Sequence, residues 1–139
     1  MRLVISRKAD LATRSLLELV TAGDRLKGAA LAERVDASPG FLAQAMTPLV
    51  SAGWVRSDPG PSGGYTLVAE PSTLSVLEVI EAVEGPTDTA RCVLQERACN
   101  RGGPCALHHA WSGARDGLLR DLGRTSLADL LAATEVRRR

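Results

Sequence analysis

The sequence predicts a mainly α fold interrupted by one β-hairpin, and three observations predict it. Apolar residues recur at helical spacing in three early segments, 9–21, 28–35 and 38–52. A run of turn-forming residues at 58–64 separates two short stretches of strand character. Further helical segments follow at 75–84, 105–122 and 126–133, and the loop between the first two, 87–104, leads with Cys92 and Cys99 up to Cys105.

In chain order, Leu11, Ser15, Leu16, Leu19 and Val20 fall on one face of the first helix, and Gly23 stops it. Asp36-Ala37 gives a tight connection after the short second helix. Ser38-Pro39 opens the third: Ser accepts a hydrogen bond from an unpaired backbone N–H, and Pro gives up an N–H that lacks a partner there. Gly53 ends it. Helix, helix, tight turn, helix is a helix-turn-helix pattern. Trp54–Ser57 and Tyr65–Val68, joined by Asp58-Pro59-Gly60-Pro61-Ser62-Gly63-Gly64, form the hairpin directly behind it, as in a winged helix-turn-helix. Ser75 and Glu78 have capping-box spacing, and Gly85-Pro86 closes that helix. Ser126 and Asp129 open a last short helix, and Arg137–Arg139 reads as a frayed end.

Composition narrows the class. Only 3% of the residues are aromatic against 45% hydrophobic, so Leu, Val and Ala must fill the core. No apolar stretch is long enough to span a bilayer, and charges in MRLVISRKADLATRS occupy the place of a signal peptide's apolar region. A cytoplasmic protein is expected. The net charge is +1, with eight Lys/Arg against six Asp/Glu in residues 1–68 and nine against ten in 69–139. That asymmetry is mild for a nucleic-acid binder.

Three cysteines without a secretion signal disfavour a disulfide framework and favour metal or redox chemistry. The spacing is Cys92-x6-Cys99-x5-Cys105-x2-His108. Thiolates suit iron–sulfur clusters, zinc and copper(I). Zinc sites usually have shorter loops, which fits these gaps poorly. Gly102-Gly103-Pro104 lets the backbone bend around an inorganic core. If Cys105 opens the long helix, His108 lies one turn on, on the same face, and the two can share one centre. An unliganded cysteine loop and a zinc site remain as alternatives.

Taken together, Met1-Arg2-Leu3, the loop Gly60-Pro61-Ser62-Gly63-Gly64-Tyr65, and Arg91-Cys92, Cys99, Cys105 and His108 resemble the IscR/NsrR-type bacterial winged-helix iron–sulfur regulators, the Rrf family, over essentially the whole chain. The resemblance implies a homodimer held by the long helix, and a 2Fe–2S or 4Fe–4S cluster whose state changes affinity for double-stranded promoter DNA, sensing nitric oxide, redox state or cluster supply. It divides the chain into a DNA-binding domain, 1–68, and a cluster-binding and dimerisation part, 69–139. It offers two fourth ligands: His108 in the IscR-like pattern, or Asp10 from the partner subunit in the NsrR-like one, since Asp10-x3-Arg14-Ser15-Leu16 resembles that helix. His109 could replace His108 if the helix starts late. The first cysteine gap is one residue longer than the family usually shows.

In this fold the third helix enters the major groove by its N-terminal end and the wing touches the backbone or minor groove. Ser38, Gly40, Phe41 and Gln44 are the groove-facing candidates, with Gln44 suited to adenine and Phe41 to a thymine methyl. Arg2, Arg7, Lys8, Arg34 and Arg56, with Ser62 and Gly63 of the wing, are the candidates for phosphate. Two departures from the family matter. The third helix has no Lys or Arg and carries Pro48, which is expected to kink it. The wing has Pro59 where an Arg is expected. Weaker or more salt-sensitive DNA binding, or a distinct operator, follows as the expectation. The competing functions are a thiol-redox or zinc-dependent regulator, and an iron–sulfur partner protein that does not bind DNA. An enzyme is not expected: there is no nucleophile–base pair outside the cysteine loop, and Gly60–Gly64 lacks the ending of a nucleotide loop.

Overall fold

The computed structural model describes residues 3–94, 98 and 103–137. Cys99, Arg2, Gly102 and the last two arginines lie outside the described residues.

Helix α1 (Arg7–Ala22) begins earlier than its apolar stripe, because the Ser6 hydroxyl accepts from the Ala9 N–H and caps it. Gly23 ends it in the left-handed conformation, φ 64°. Helix α2 (Gly28–Arg34) leads through Val35-Asp36-Ala37, with Asp36 at φ 51°, into α3 (Pro39–Ser51). The Ser38 hydroxyl accepts from the Phe41 N–H at 3.2 Å, so the expected cap is in place. Pro48 does not end α3. The carbonyl it leaves without an i+4 donor belongs to Gln44, an exposed residue where water can serve it.

Strands β1 (Val55–Asp58) and β2 (Gly64–Leu67) pair antiparallel, Val55 opposite Leu67 and Asp58 opposite Gly64. Trp54 stands just outside; its carbonyl accepts from the N–H groups of Val68 and Ala69. The connection between α1 and α2 adds a rung to the sheet. Leu26 and Tyr65 exchange both backbone bonds, at 3.0 and 2.8 Å, and this ties the wing to the helices. The approach requires glycine at 64, since a Cβ there would lie 2.2 Å from the Leu26 carbonyl oxygen.

Helix α4 (Val76–Glu84) opens with the complete capping box of Ser75 and Glu78. Helix α5 (His108–Arg124) starts three residues later than the sequence pattern suggests, and α6 (Leu127–Arg137) runs past the predicted end. Cys105 therefore precedes α5. The His108 N–H donates to the Cys105 carbonyl at 3.0 Å, closing a turn around Ala106-Leu107, so the early helix-like pattern is a turn leading into the helix. Asp129, accepting from the Ser126 N–H and hydroxyl, starts α6, and these bonds hold its carboxyl below the usual carboxylate range.

One core joins both halves of the chain. Leu11, Leu16 and Leu19 of α1, Leu42, Met46 and Leu49 of α3, Val79 of α4 and Leu127 of α6 are all buried in it. Each fully buried side chain of this size stabilises the fold by about 1.5–3 kcal/mol. Helix α5 is different: among the described residues it buries no side chain completely. Trp111, Leu118 and Leu122, spaced to share a face, are exposed or half-buried.

Candidate nucleic-acid interface and cysteine loop

Alternation within α3 decides which residues face outward. Leu42, Ala45, Met46 and Leu49 point into the core, which leaves Gly40, Ala43, Gln44 and Thr47 exposed. Gln44 thus presents its amide to solvent, and Ser38 and Gly40 sit exposed at the helix's leading end. Phe41 does two things: it packs against the core and lines an open hollow of about 580 Å³ with Ser38, Arg7 and Arg14. Position and shape suit a helix end offered to a groove.

Arg14, of the Asp10-x3-Arg14-Ser15-Leu16 motif, is a positioning residue. Its guanidinium donates to the Val35 carbonyl at 2.6 Å and to Asp10 at 3.0 Å, fixing α1 against the turn that launches α3. Arg34 lies 3.5 Å from Glu18 and Arg56 lies 3.3 Å from Asp58. In the wing, Ser62 is exposed and Gly63 is buried against its own hairpin, where a Cβ would come within 2.0 Å of the Asp58 carbonyl oxygen. Arg7 is exposed and Lys8 half-buried.

The cysteine loop assembles differently. Cys92 is buried, at 8% exposure, and Cys105 and His108 are half-buried. Cys105 and His108 line one hollow of about 250 Å³, walled by Trp111, Ser112 and Arg115 of α5 and by Asp88 and Arg91 of the preceding loop. A soft thiol and an imidazole delivered to one space by one turn are a donor set that fits an iron–sulfur cluster or another soft metal centre. Among the described residues no three His, Cys, Asp or Glu side chains converge on one metal position, and Cys99 lies outside them. His109 is exposed, its ring edge-on to His108 at 5.4 Å. Asp10 lies apart from this hollow within the chain, paired with Arg14. Asp88 and Arg115 were not legible as site residues: they are joined at 3.1 Å across a gap in sequence that no periodicity marks.

A family model described as an iron-dependent transcriptional regulator, Rrf2, matches residues 5–133. The chain belongs to the Rrf2 family. The HTH-type transcriptional regulator IscR of Xenorhabdus nematophila is 35% identical to this Rrf2-family chain over 106 residues, 76% of this chain and 64% of that one. The IscR of Escherichia coli O1:K1 is likewise 35% identical, with 65% of its length covered. The chain thus matches somewhat less than two thirds of the length of these relatives. Among solved structures, CymR (YrzC), the global cysteine regulator of B. subtilis, superposes with a TM-score of 0.76 at 28% identity, covering 95% of this chain and 98% of that one. T. potens IscR shares the fold, with a TM-score of 0.74 at 24% identity over 99% of this chain and 92% of that one. The mainly α winged-helix fold is therefore that of the family, and the family and these relatives are transcriptional regulators, not enzymes. Among the described residues, no helix is long and apolar enough to cross a membrane.

Proposed function

We propose that this Rrf2-family chain is a DNA-binding transcriptional regulator, acting as a homodimer on a promoter operator, whose DNA affinity is set by an iron–sulfur cluster. Residues 1–68 serve as the DNA-binding part and 69–139 as the cluster and dimer part. The observation that carries the cluster reading is the turn that brings Cys105 and His108 to one hollow at the start of α5. Cys92, Cys99 and Cys105 would hold the cluster with His108 as fourth ligand. Asp10 of the partner subunit is the alternative fourth ligand.

When bound, the cluster supplies a centre whose loss or oxidation responds to redox state, nitric oxide or cluster supply. The chain's own contribution is mechanical. The cysteine loop adjoins α5, α5 packs on α4, and α4 packs on α1 and α3, so a change in the loop has a packed route to the DNA-facing helix. The exposed Trp111 and Leu118 of α5, together with Leu3 and Ile5 beside a largely apolar hollow of about 630 Å³, support α5 as the dimer contact.

A thiol-redox regulator is the second reading, favoured by the likeness to CymR, one solved structure of which is an oxidised form, from Staphylococcus aureus. Anaerobic purification with a visible spectrum and assays of iron and acid-labile sulfide separates the two. A coloured protein with matched iron and sulfide supports the cluster. A colourless protein after anaerobic reconstitution, with thiols that oxidise reversibly and change DNA affinity, replaces it with the thiol reading.

A further inference from the structure

Two of the arginines assigned to phosphate, Arg34 and Arg56, already face carboxylates of their own chain. Arg34 on α2 lies 3.5 Å from Glu18 on α1, and Arg56 on β1 lies 3.3 Å from Asp58, two residues along the same strand. In both pairs the arginine is the outer partner: the side chains of Arg34 and Arg56 are 46% and 62% exposed, against 28% for Glu18 and 36% for Asp58. Each guanidinium is already paired with a less exposed carboxylate, so whatever meets these arginines from outside meets a compensated charge.

This matters because neither α3 nor the loop of the wing makes up the deficit. Helix α3 has no Lys or Arg from Pro39 to Ser51, and Pro59 follows Asp58 in the wing. Residues two apart on a strand share a face, so a phosphate brought to Arg56 is also brought to Asp58. An exposed ion pair is too weak to keep phosphate away from the arginine. It leaves a negative charge beside the phosphate, however, and the arginine then displaces less than a full counterion.

We propose that Glu18 and Asp58 are affinity-setting residues that stand in for DNA phosphate at Arg34 and Arg56, keeping backbone binding weak so that occupancy depends on base contacts from α3. The inference rests on the DNA-binding reading above. It also reverses one expectation drawn from the sequence. Fewer net phosphate contacts flatten the salt dependence rather than steepen it, because the slope scales with the number of phosphates neutralised.

The test is fluorescence anisotropy of the full chain on a labelled mixed-sequence DNA duplex, titrated with salt. Asp58→Asn and Glu18→Gln should each steepen the log–log salt slope by about 0.9 per released contact, which is about a threefold gain on going from about 200 mM to about 50 mM salt. Asp24→Asn, which removes an exposed carboxylate outside these pairs, controls for net charge. Arg56→Gln should cost less than about twofold in the wild-type background and should abolish the gain in the Asp58→Asn background. Binding by Asp58→Asn where the wild type shows none also supports the proposal. Gains no larger than that of Asp24→Asn, or an equal cost of Arg56→Gln in both backgrounds, overturn it while leaving DNA binding intact. If none of the variants binds the duplex at the lowest salt, the DNA-binding reading falls and the inference with it.

Discussion

Arg115 Nη1 lies 3.1 Å from Asp88 Oδ1, so α5, two turns beyond His108, grips the segment that leads into Cys92. The same Asp88 oxygen accepts from the Ala90 N–H at 2.9 Å, and Ala90 is held at φ 56°, a left-handed conformation unusual for alanine. Asp88 thus folds the approach to the first cysteine while Arg115 anchors it to the helix that begins at His108.

Asp88→Asn and Arg115→Gln should weaken iron retention by about ten- to a hundredfold, as loss of partners behind metal ligands does. Ala90→Gly, which relieves the backbone strain, should leave it intact. Iron per chain after anaerobic reconstitution and challenge with a chelator measures this. Unchanged retention in both charge variants would remove the pair from the site.

The fourth ligand is decided by two substitutions. His108→Ala should lose the cluster or shift its visible circular dichroism, whereas Asp10→Asn should keep the iron content within about twofold of wild type, since Asp10 is bonded to Arg14 instead. The opposite pattern would hand the role to Asp10 across the dimer.

Gly63→Ala tests the wing. A Cβ 2.0 Å from the Asp58 carbonyl oxygen and 2.7 Å from that of Pro59 cannot be accommodated without opening the hairpin. The strain should cost about 1–3 kcal/mol, read from chemical denaturation. DNA binding should fall with it, while cluster content is unchanged. A variant as stable as wild type would show that the turn can rearrange.

Leu118→Glu places a charge on the exposed apolar face of α5, where Leu118 is 45% exposed. Sedimentation should show dissociation into monomers, with dimer affinity weakened by about tenfold or more, the effect of a central interface residue. The fold itself should survive, because α5 buries no side chain completely among the described residues. A dimer of unchanged affinity would place the contact elsewhere.

The start of α6 should be acid-sensitive. The Ser126 bonds hold the Asp129 pKa below that of the unfolded chain, so their stabilisation is present above the ordinary carboxylate pKa, about 3.9, and is lost as pH falls through the folded value. Amide exchange in α6 should rise on acidification in wild type and be insensitive to it in Asp129→Asn. Equal acid sensitivity in the two proteins would refute this.

What the sequence by itself determined is what short-range chemistry encodes. The caps at Ser38-Pro39 and Ser75/Glu78 stand where the residue types put them, because a cap is made within three residues. The inward stripe of α3 and the hairpin likewise follow from local periodicity and turn residues. The tertiary structure alone decided the rest. The start of α5 after Cys105, the Leu26–Tyr65 rung that docks the wing, the Arg14 bond to Val35, the Asp88–Arg115 grip and the pairing of Arg34 and Arg56 with carboxylates join residues mostly far apart in sequence or set by packing. Periodicity records which face of a segment is apolar. It carries no record of which distant polar group that face will bring within hydrogen-bonding reach, because that depends on how all the segments pack on one shared core.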